Sequence, residues 1–328
     1  MNLTVTAARE LAHASLMQLG YSDAETRIIV AHLMDCELRG LGFSGLARIL
    51  SIAERLADTP RPTHPIAVVK ESAVSARLDG GDQLGYLVAE RATRLAIDKA
   101  SSAGIAIVGA SNTWYTGMLS YYAEMAVAQD LIVMLASNAS PWVAPHGGTE
   151  GRFGTNPICF GFPSNRQPVI WDIGTSSIIH AQVKLAQRIG EALPAGVAFD
   201  AAGRETRDPT AALGGALAPW GGHKGSGLAI IVHLLGMLAG SPIMPGELRD
   251  FGFLAIAVRP DLLTSLDDYK AAVDGYTDAI HSTRPVENGA PVRMPFERSM
   301  AERAARVETD RLEIPDEVVQ ALRAMCGQ

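Results

Sequence analysis

The chain has 328 residues, 48% of them hydrophobic and 19% charged, with a formal net charge of -7 at neutral pH. That length supports a large core in two interleaved or adjoining domains without covalent staples, and the acidic balance excludes a nucleic-acid-binding surface. Three widely separated cysteines, Cys36, Cys159 and Cys326, lack CxxC or histidine spacing, which excludes a disulfide framework or zinc site and matches a reducing cytoplasm. The opening residues, MNLTVTAARELAHAS, show no basic region followed by an apolar run, so no signal peptide is expected. The longest apolar run, 228–239, is interrupted by His233 and Gly236 and is too short to span a bilayer. It reads as a buried core helix, and no membrane, nucleic-acid or metal partner is expected.

In chain order, residues 4–19 carry apolar side chains at helical spacing and stop at Gly20, while Ser22 with Glu25 forms a capping box for a second helix through about Leu38. A turn over 39–45 leads to a third helix, 46–57, ended by the proline-rich linker 59–65, a domain boundary. Beyond it strands and helices alternate: strands at 67–69 and 75–78, a helix at 85–103, a strand at 105–109, a helix at 121–129, and strands at 131–137, 158–162 and 169–173. A helix is expected over 175–190, another after the 219–227 loop, a strand at 253–258, and helices at 262–282 and 315–325. This alternation gives an α/β or α+β fold class, with the tail helices packing on the opening ones.

The stretch 219–227, PWGGHKGSG, sets four glycines around Lys224 at the start of a helix. Glycines admit a ligand close to the backbone, and the first helical turn offers unpaired N–H groups, so the stretch is an anion cradle or a tight turn that only packs a helix. No GxGxxG, Walker A, GxSxG or HExxH motif accompanies it, so a nucleotide here is not bound by a Rossmann fold.

Several segments form an ordered series with that loop: SNTWYTGMLSYYAEMA (111–126), SNASPWVAPHGGTEGRFGTNPICFGFP (137–163), DIGTSS (172–177) and GVAFDAAGRETRDP (196–209). The series resembles the malate/L-lactate dehydrogenase family of NAD(P)-dependent oxidoreductases, which includes Δ1-piperideine-2-carboxylate and Δ1-pyrroline-2-carboxylate reductases. The similarity covers essentially the whole chain. It implies a non-Rossmann NAD(P)-binding fold with a predominantly antiparallel sheet covered by helices, over about 66–259. It also implies a helical substrate and dimerisation domain from both termini, 1–65 with about 260–328. The partners it implies are a small-molecule substrate and a second copy in a homodimer. The cofactor would be NADPH or NADH, with NADPH favoured, contacted by Asp172, Ile173, Gly174, Thr175, Ser176 and Ser177, by His223 and Lys224, and by Pro295, Phe296 and Glu297. Family members usually carry glycine where Phe296 stands.

On the residues themselves, Asp172 ends a strand and is followed by a small residue and hydroxyls. That pattern is either a turn onto a helix N-terminus that binds oxygen ligands or a plain cap at Thr175 or Ser176. His146 borders the site or caps a turn, and His180 and His233, among apolar neighbours, read as structural. Arg166, Lys184 and Arg188 are the candidates for a 2′-phosphate.

Two departures from the family bear on the reaction. Its proton-donating histidine follows a serine in the loop after the second helix, with a carboxylate-binding arginine four residues on. Here Phe43 stands at the serine, Ser44 at the histidine, and Arg48 is kept; a second family histidine is replaced by Thr113. Reduction of a ketone generates an alkoxide, for which a positioned acid contributes about a hundredfold or more. An iminium already carries its proton. The expected catalytic set, Phe43, Ser44, Arg48 and Thr113, therefore suits a small cyclic imino acid, with Arg48 holding the carboxylate. A 2-hydroxy-acid dehydrogenase drawing its acid from Asp200, Lys224 or water is the alternative, and a non-catalytic nucleotide-binding protein is the alternative of another class.

Overall fold

Thr4 starts the first helix, Val5–Gln18, its hydroxyl accepting the Ala7 N–H at 3.0 Å. In this computed structural model, which describes residues 1–62 and 64–327, the capping box forms as expected. The Ser22 N–H donates to Glu25 at 2.8 Å and the Glu25 N–H to Ser22 Oγ at 3.3 Å, opening the helix Asp23–Leu38. A short 3-10 turn, Gly42–Ser44, joins it to the helix Ala47–Asp58. Thr63, in the proline-rich linker, and Gln328, the last residue of the tail, lie outside the described residues.

Seven strands form one sheet in the order Ala67–Glu71, Ser75–Leu84, Ile105–Trp114, Phe253–Val258, Ile132–Ser137, Ile158–Phe162, Val169–Ile173. Ser75–Leu84 and Ile105–Trp114 run parallel, because the helix Gly85–Ala103 crosses between them. The remaining pairings in this sheet are antiparallel. A mixed α/β fold with a mainly antiparallel sheet therefore replaces the doubly wound parallel arrangement of a Rossmann domain.

Strand alternation sorts the core. Along Ile132–Ser137, Val133 and Leu135 face the helices Gly85–Ala103 and Leu119–Val127, while Met134 and Ala136 face the helix His223–Leu238. Burying each such large apolar side chain contributes roughly 1.5–3 kcal/mol. A separate core joins the opening helices to the tail: Leu312, Ile314, Val318 and Leu322 pack with Leu11, Leu16, Ile29 and Ile49. Asn2–Leu3 pairs with Leu312–Glu313, tying the two ends of the chain together.

Four expectations need correction. The helix read over 175–190 spans only His180–Ile189. The N–H groups of Thr175 and Ser177 are taken by the carbonyls of Thr155 and Ala218, so the segment pairs across the fold instead of coiling, and neither Thr175 nor Ser176 is a helix cap. The run 228–239 is not buried all round: Ala229, Val232 and Gly236 face the sheet, while Ile230, Ile231, Leu234 and Leu238 are about half exposed or more. The tail helix Leu266–His281 has no buried residue and lies by the sheet unit, with Lys270 on Asp130 and Asp274 and Asp278 on Arg166. A further helix, Glu297–Thr309, is too polar for its apolar period to be visible in the sequence, and it packs on Asp23–Leu38.

Candidate functional site

Two of the glycine-bearing motifs meet at the edge of the sheet. As the chain leaves Val169–Ile173, Thr175 donates both its N–H and its hydroxyl to the Thr155 carbonyl, at 2.9 and 3.0 Å. The Trp220 N–H returns a bond to the Thr175 carbonyl at 2.8 Å, and Ser177 Oγ donates to Pro219 at 2.9 Å. The DIGTSS segment and the 219–227 loop are thus laced side by side. GTNP serves both: Thr155 accepts from Thr175, and Asn156 Nδ2 reaches the Ala229 carbonyl at 2.8 Å, so the helix His223–Leu238 is held to the same seam.

Gly221 and Gly222 have φ of +59° and +60°, a region costly for side chains with a Cβ. His223 and Lys224 then open the helix, and no side chain caps it, leaving first-turn N–H groups for an anion. Ser176 Oγ is buried at the seam without a partner. These features fit a phosphate-bearing nucleotide. The imidazoles of His146 and His223 meet edge-on, with centroids 6.2 Å and planes 61° apart.

Asp172 has another task. Its carboxylate accepts the Ser120 N–H at 2.7 Å, capping the helix Leu119–Val127 from outside, and burial pushes its pKa up against that bond. Asp172 also borders the hollow lined by Pro295 and Phe296. Phe296 has φ of +79°, the left-handed conformation that glycine takes most readily, so the backbone keeps a glycine-like turn without the glycine. The Arg39 guanidinium lies 4.4 Å from the Phe296 ring centroid. Glu297 closes the turn by accepting the Met294 N–H at 2.9 Å and pairs with His281 at 2.8 Å.

On the other side of Asp172 and Gly174 lies a cavity of about 240 Å³, walled by Phe43, Tyr86, Tyr115, Trp142 and Phe251 and reached by Ser44, Arg48 and His180. Its polar groups come from distant segments. Glu37 accepts the Leu46 N–H at 2.6 Å and so holds the turn Gly42–Ser44, which presents Phe43 and Ser44. Arg48 is buried, with its guanidinium 4.3 Å from the Tyr115 ring centroid and its Nη1 unpartnered. The Tyr115 hydroxyl is likewise buried without a partner. A guanidinium left this way costs several kcal/mol unless an anion meets it.

His180, read as structural, is instead a cavity residue. It opens the helix His180–Ile189, stacks on Trp142 with centroids 3.9 Å apart and planes 13° apart, and has its Nδ1 buried without a partner. Burial, and then the charges of Arg48, Lys184 and Arg188, bring its pKa down to about 3. Its apolar sequence neighbours hid it; the stacking tryptophan lies 38 residues away in the chain. His32 beneath the same cavity is held neutral by burial, also at about 3, and its Nε2 accepts the Met118 N–H at 2.9 Å.

Other expected site residues fall elsewhere. Thr113 is fully buried and donates to the Gln83 carbonyl at 2.7 Å, so it braces two strands and does not line the cavity. Asp200 is tied to Arg204 and to its own turn, which holds its pKa low and leaves it no acid to give. Arg166 pairs with Asp274 and Asp278, while Lys184 and Arg188 share Glu54.

The profile of the malate/L-lactate dehydrogenase family matches residues 3–323. The chain is 32% identical to an L-sulfolactate dehydrogenase of Methanocaldococcus jannaschii, over 95% of this chain and 93% of that one. It is 31% identical to a Δ1-pyrroline-2-carboxylate/Δ1-piperideine-2-carboxylate reductase of Pseudomonas putida, over 98% and 96%. Among solved structures, a dehydrogenase from Sinorhizobium meliloti superposes with a TM-score of 0.91 at 33% identity, covering 99% of this chain and 98% of that one.

Proposed function

The chain belongs to the malate/L-lactate dehydrogenase family and is an NAD(P)-dependent oxidoreductase, and within that family we propose that it reduces a small cyclic imino acid, Δ1-pyrroline-2-carboxylate or Δ1-piperideine-2-carboxylate, to L-proline or L-pipecolate. The observation that carries this reading is the aromatic-walled cavity that combines an unpartnered buried guanidinium with the imidazole of His180 held neutral. Arg48 takes the substrate carboxylate through its free Nη1, and the Tyr115 hydroxyl is placed to donate to the same anion. Phe43, Trp142 and Phe251 pack the ring methylenes and exclude water.

When bound, the nicotinamide supplies a hydride to C2. The C=N electron pair moves onto a nitrogen that already holds its proton, so the product is a neutral amine. No imidazolium is needed, and neither His32 nor His180 is one at neutral pH. Ser44 completes the polar end of the cavity, hydrogen-bonding the substrate or a water.

Asp172, Ile173, Gly174, Thr175, Ser176, Ser177, His223 and Lys224 are assigned to one side of the dinucleotide, and Pro295, Phe296 and Glu297 to the other. With Arg166, Lys184 and Arg188 already ion-paired and Arg298 drawn to Glu302 at 4.0 Å, Arg293, beside the Pro295–Phe296 turn, is the better match to a 2′-phosphate, which favours NADPH. We assign nucleotide binding mainly to 66–259 and the substrate side to 1–65 with 260–328. The exposed apolar face of His223–Leu238 suits a homodimer. No helix among the described residues is long and apolar enough to cross a membrane, and we place the enzyme in the cytoplasm.

A 2-hydroxy-acid dehydrogenase acting on malate or sulfolactate is the second reading, favoured by the imidazole of His180 in the cavity and by the sulfolactate dehydrogenase among the relatives. Incubation with each cyclic imine and NADPH deuterated at both C4 positions tests the first: L-proline or L-pipecolate carrying one deuterium at C2 is expected. No labelled imino-acid product, with deuterated malate or sulfolactate formed from the keto acids under the same conditions, contradicts it.

A further inference from the structure

We propose that His180 is a catalytic residue of this site, its imidazole accepting a hydrogen bond from the iminium N–H at C2 of the bound substrate. The inference rests on the cyclic-imine reading above and deepens it.

Three placements carry it. His180 lines the same cavity as Ser44, Arg48 and Tyr115, and its helix packs directly against the turn Gly42–Ser44. Its ring plane is set by the stack on Trp142, and the indole is itself fixed by the bond from its Nε1 to Glu247 at 2.9 Å. Its Nδ1 is buried without a partner, as are Arg48 Nη1 and Tyr115 Oη in the same cavity. The large majority of buried polar side-chain atoms in native proteins are paired, and the clustering of three orphans around one hollow describes a missing ligand with at least two polar ends. A 2-imino acid has them: a carboxylate for Arg48 and Tyr115, and a nitrogen for His180.

The electrostatics make this imidazole an acceptor. Arg48, Lys184 and Arg188 surround it with positive charge, offset in part by Glu54 on Lys184 and Arg188 and by Glu247 behind Trp142. As the first residue of its helix, it also meets the positive end of the backbone dipole. Burial, the three cations and the helix dipole together disfavour an imidazolium, so the ring does not strip the proton from the substrate. The iminium keeps its proton and its electrophilic C2 while the N–H is oriented. On hydride transfer a C–H bond forms at C2, the π pair becomes the nitrogen lone pair, and His180 neither gains nor loses a proton.

H180F keeps an aromatic ring on Trp142 and removes the nitrogen atoms; H180Q restores a hydrogen-bonding group. On the substrate the wild type prefers, H180F should lose about tenfold or more in kcat/KM, with NADPH affinity by fluorescence titration and melting temperature close to wild type. H180Q should recover part of the loss. H180F within about twofold of wild type overturns the proposal, as does a loss matched by an equal loss of NADPH affinity. The substrate panel separates the two claims: wild type preferring keto acids overturns the imine reading, while the H180F ratio on the preferred keto acid still decides whether His180 touches the reacting centre.

Discussion

The wall formed by 172–177 and 219–227 is laced by backbone bonds, with Thr155, Thr175, Ala218 and Trp220 all paired, and its unmet groups are Ser176 Oγ and the first-turn N–H groups at His223 and Lys224. The wall facing it, formed by Phe43, Ser44, Arg48, Tyr115 and His180, leaves three polar atoms buried without partners. A dinucleotide is bound largely by main chain and glycine, whose framework is braced before it arrives while helix-opening N–H groups stay free for its phosphates. A small carboxylate must be bound by side chains whose unmet demand is what selects it. The first wall is built for stability and the second holds strain in reserve, and variants on the two should separate accordingly.

The largest effect is expected at the strained wall. Arg48→Met should lower kcat/KM by about a thousandfold or more, yet leave the melting temperature equal or higher, because it removes a buried charge that the free protein does not pair. A lowered melting temperature with kcat/KM kept near wild type would break the comparison. Next is the support of that wall. Burial pushes the Glu37 carboxyl from 4.5 up to about 7, against the Leu46 bond and the Arg306 charge that lower it. The folded state binds this proton more tightly than the unfolded chain, so the group's contribution is complete below about 4.5 and is lost as pH rises through about 7. Denaturant titrations should show Glu37→Gln abolishing a fall in stability of up to about 3 kcal/mol across that window.

At the laced wall, Lys224→Ala should raise the KM for NADPH by about tenfold while kcat at saturating cofactor holds. A drop in kcat instead would place Lys224 at the chemistry. The smallest effect is expected from Thr113→Val, which sharpens the boundary of the site. Leaving the Gln83 carbonyl unpaired should cost about 1–3 kcal/mol of stability, with kinetic constants near wild type; a selective loss of kcat would return Thr113 to the cavity.

Elements governed by local signals were legible in the sequence. The capping box at Ser22 and Glu25 and the helix Gly85–Ala103 follow from caps and period alone. Ile105–Trp114 runs past the expected end at 109 because the polar Ser111 and Asn112 break the apolar alternation while neighbouring strands still claim the backbone. The break in the helix read over 175–190 was hidden for the same reason: its cause is Thr155 and Ala218, far off in the chain. At the site, the glycine motifs and Arg48 could be read because each lies in one segment. His180 could not, since only the fold brings Trp142 and Arg48 around it, and Thr113 was misplaced by position in a motif whose hydroxyl turns away.

Initial rates of NADPH oxidation decide whether this cavity serves C=N or C=O chemistry. These should be taken with Δ1-pyrroline-2-carboxylate and Δ1-piperideine-2-carboxylate beside oxaloacetate, pyruvate and sulfopyruvate. One of the imines should show kcat/KM at least about a hundredfold higher, the contribution of the imidazolium acid that a ketone would use and that His180 does not supply. A keto acid turned over faster than both imines would contradict it.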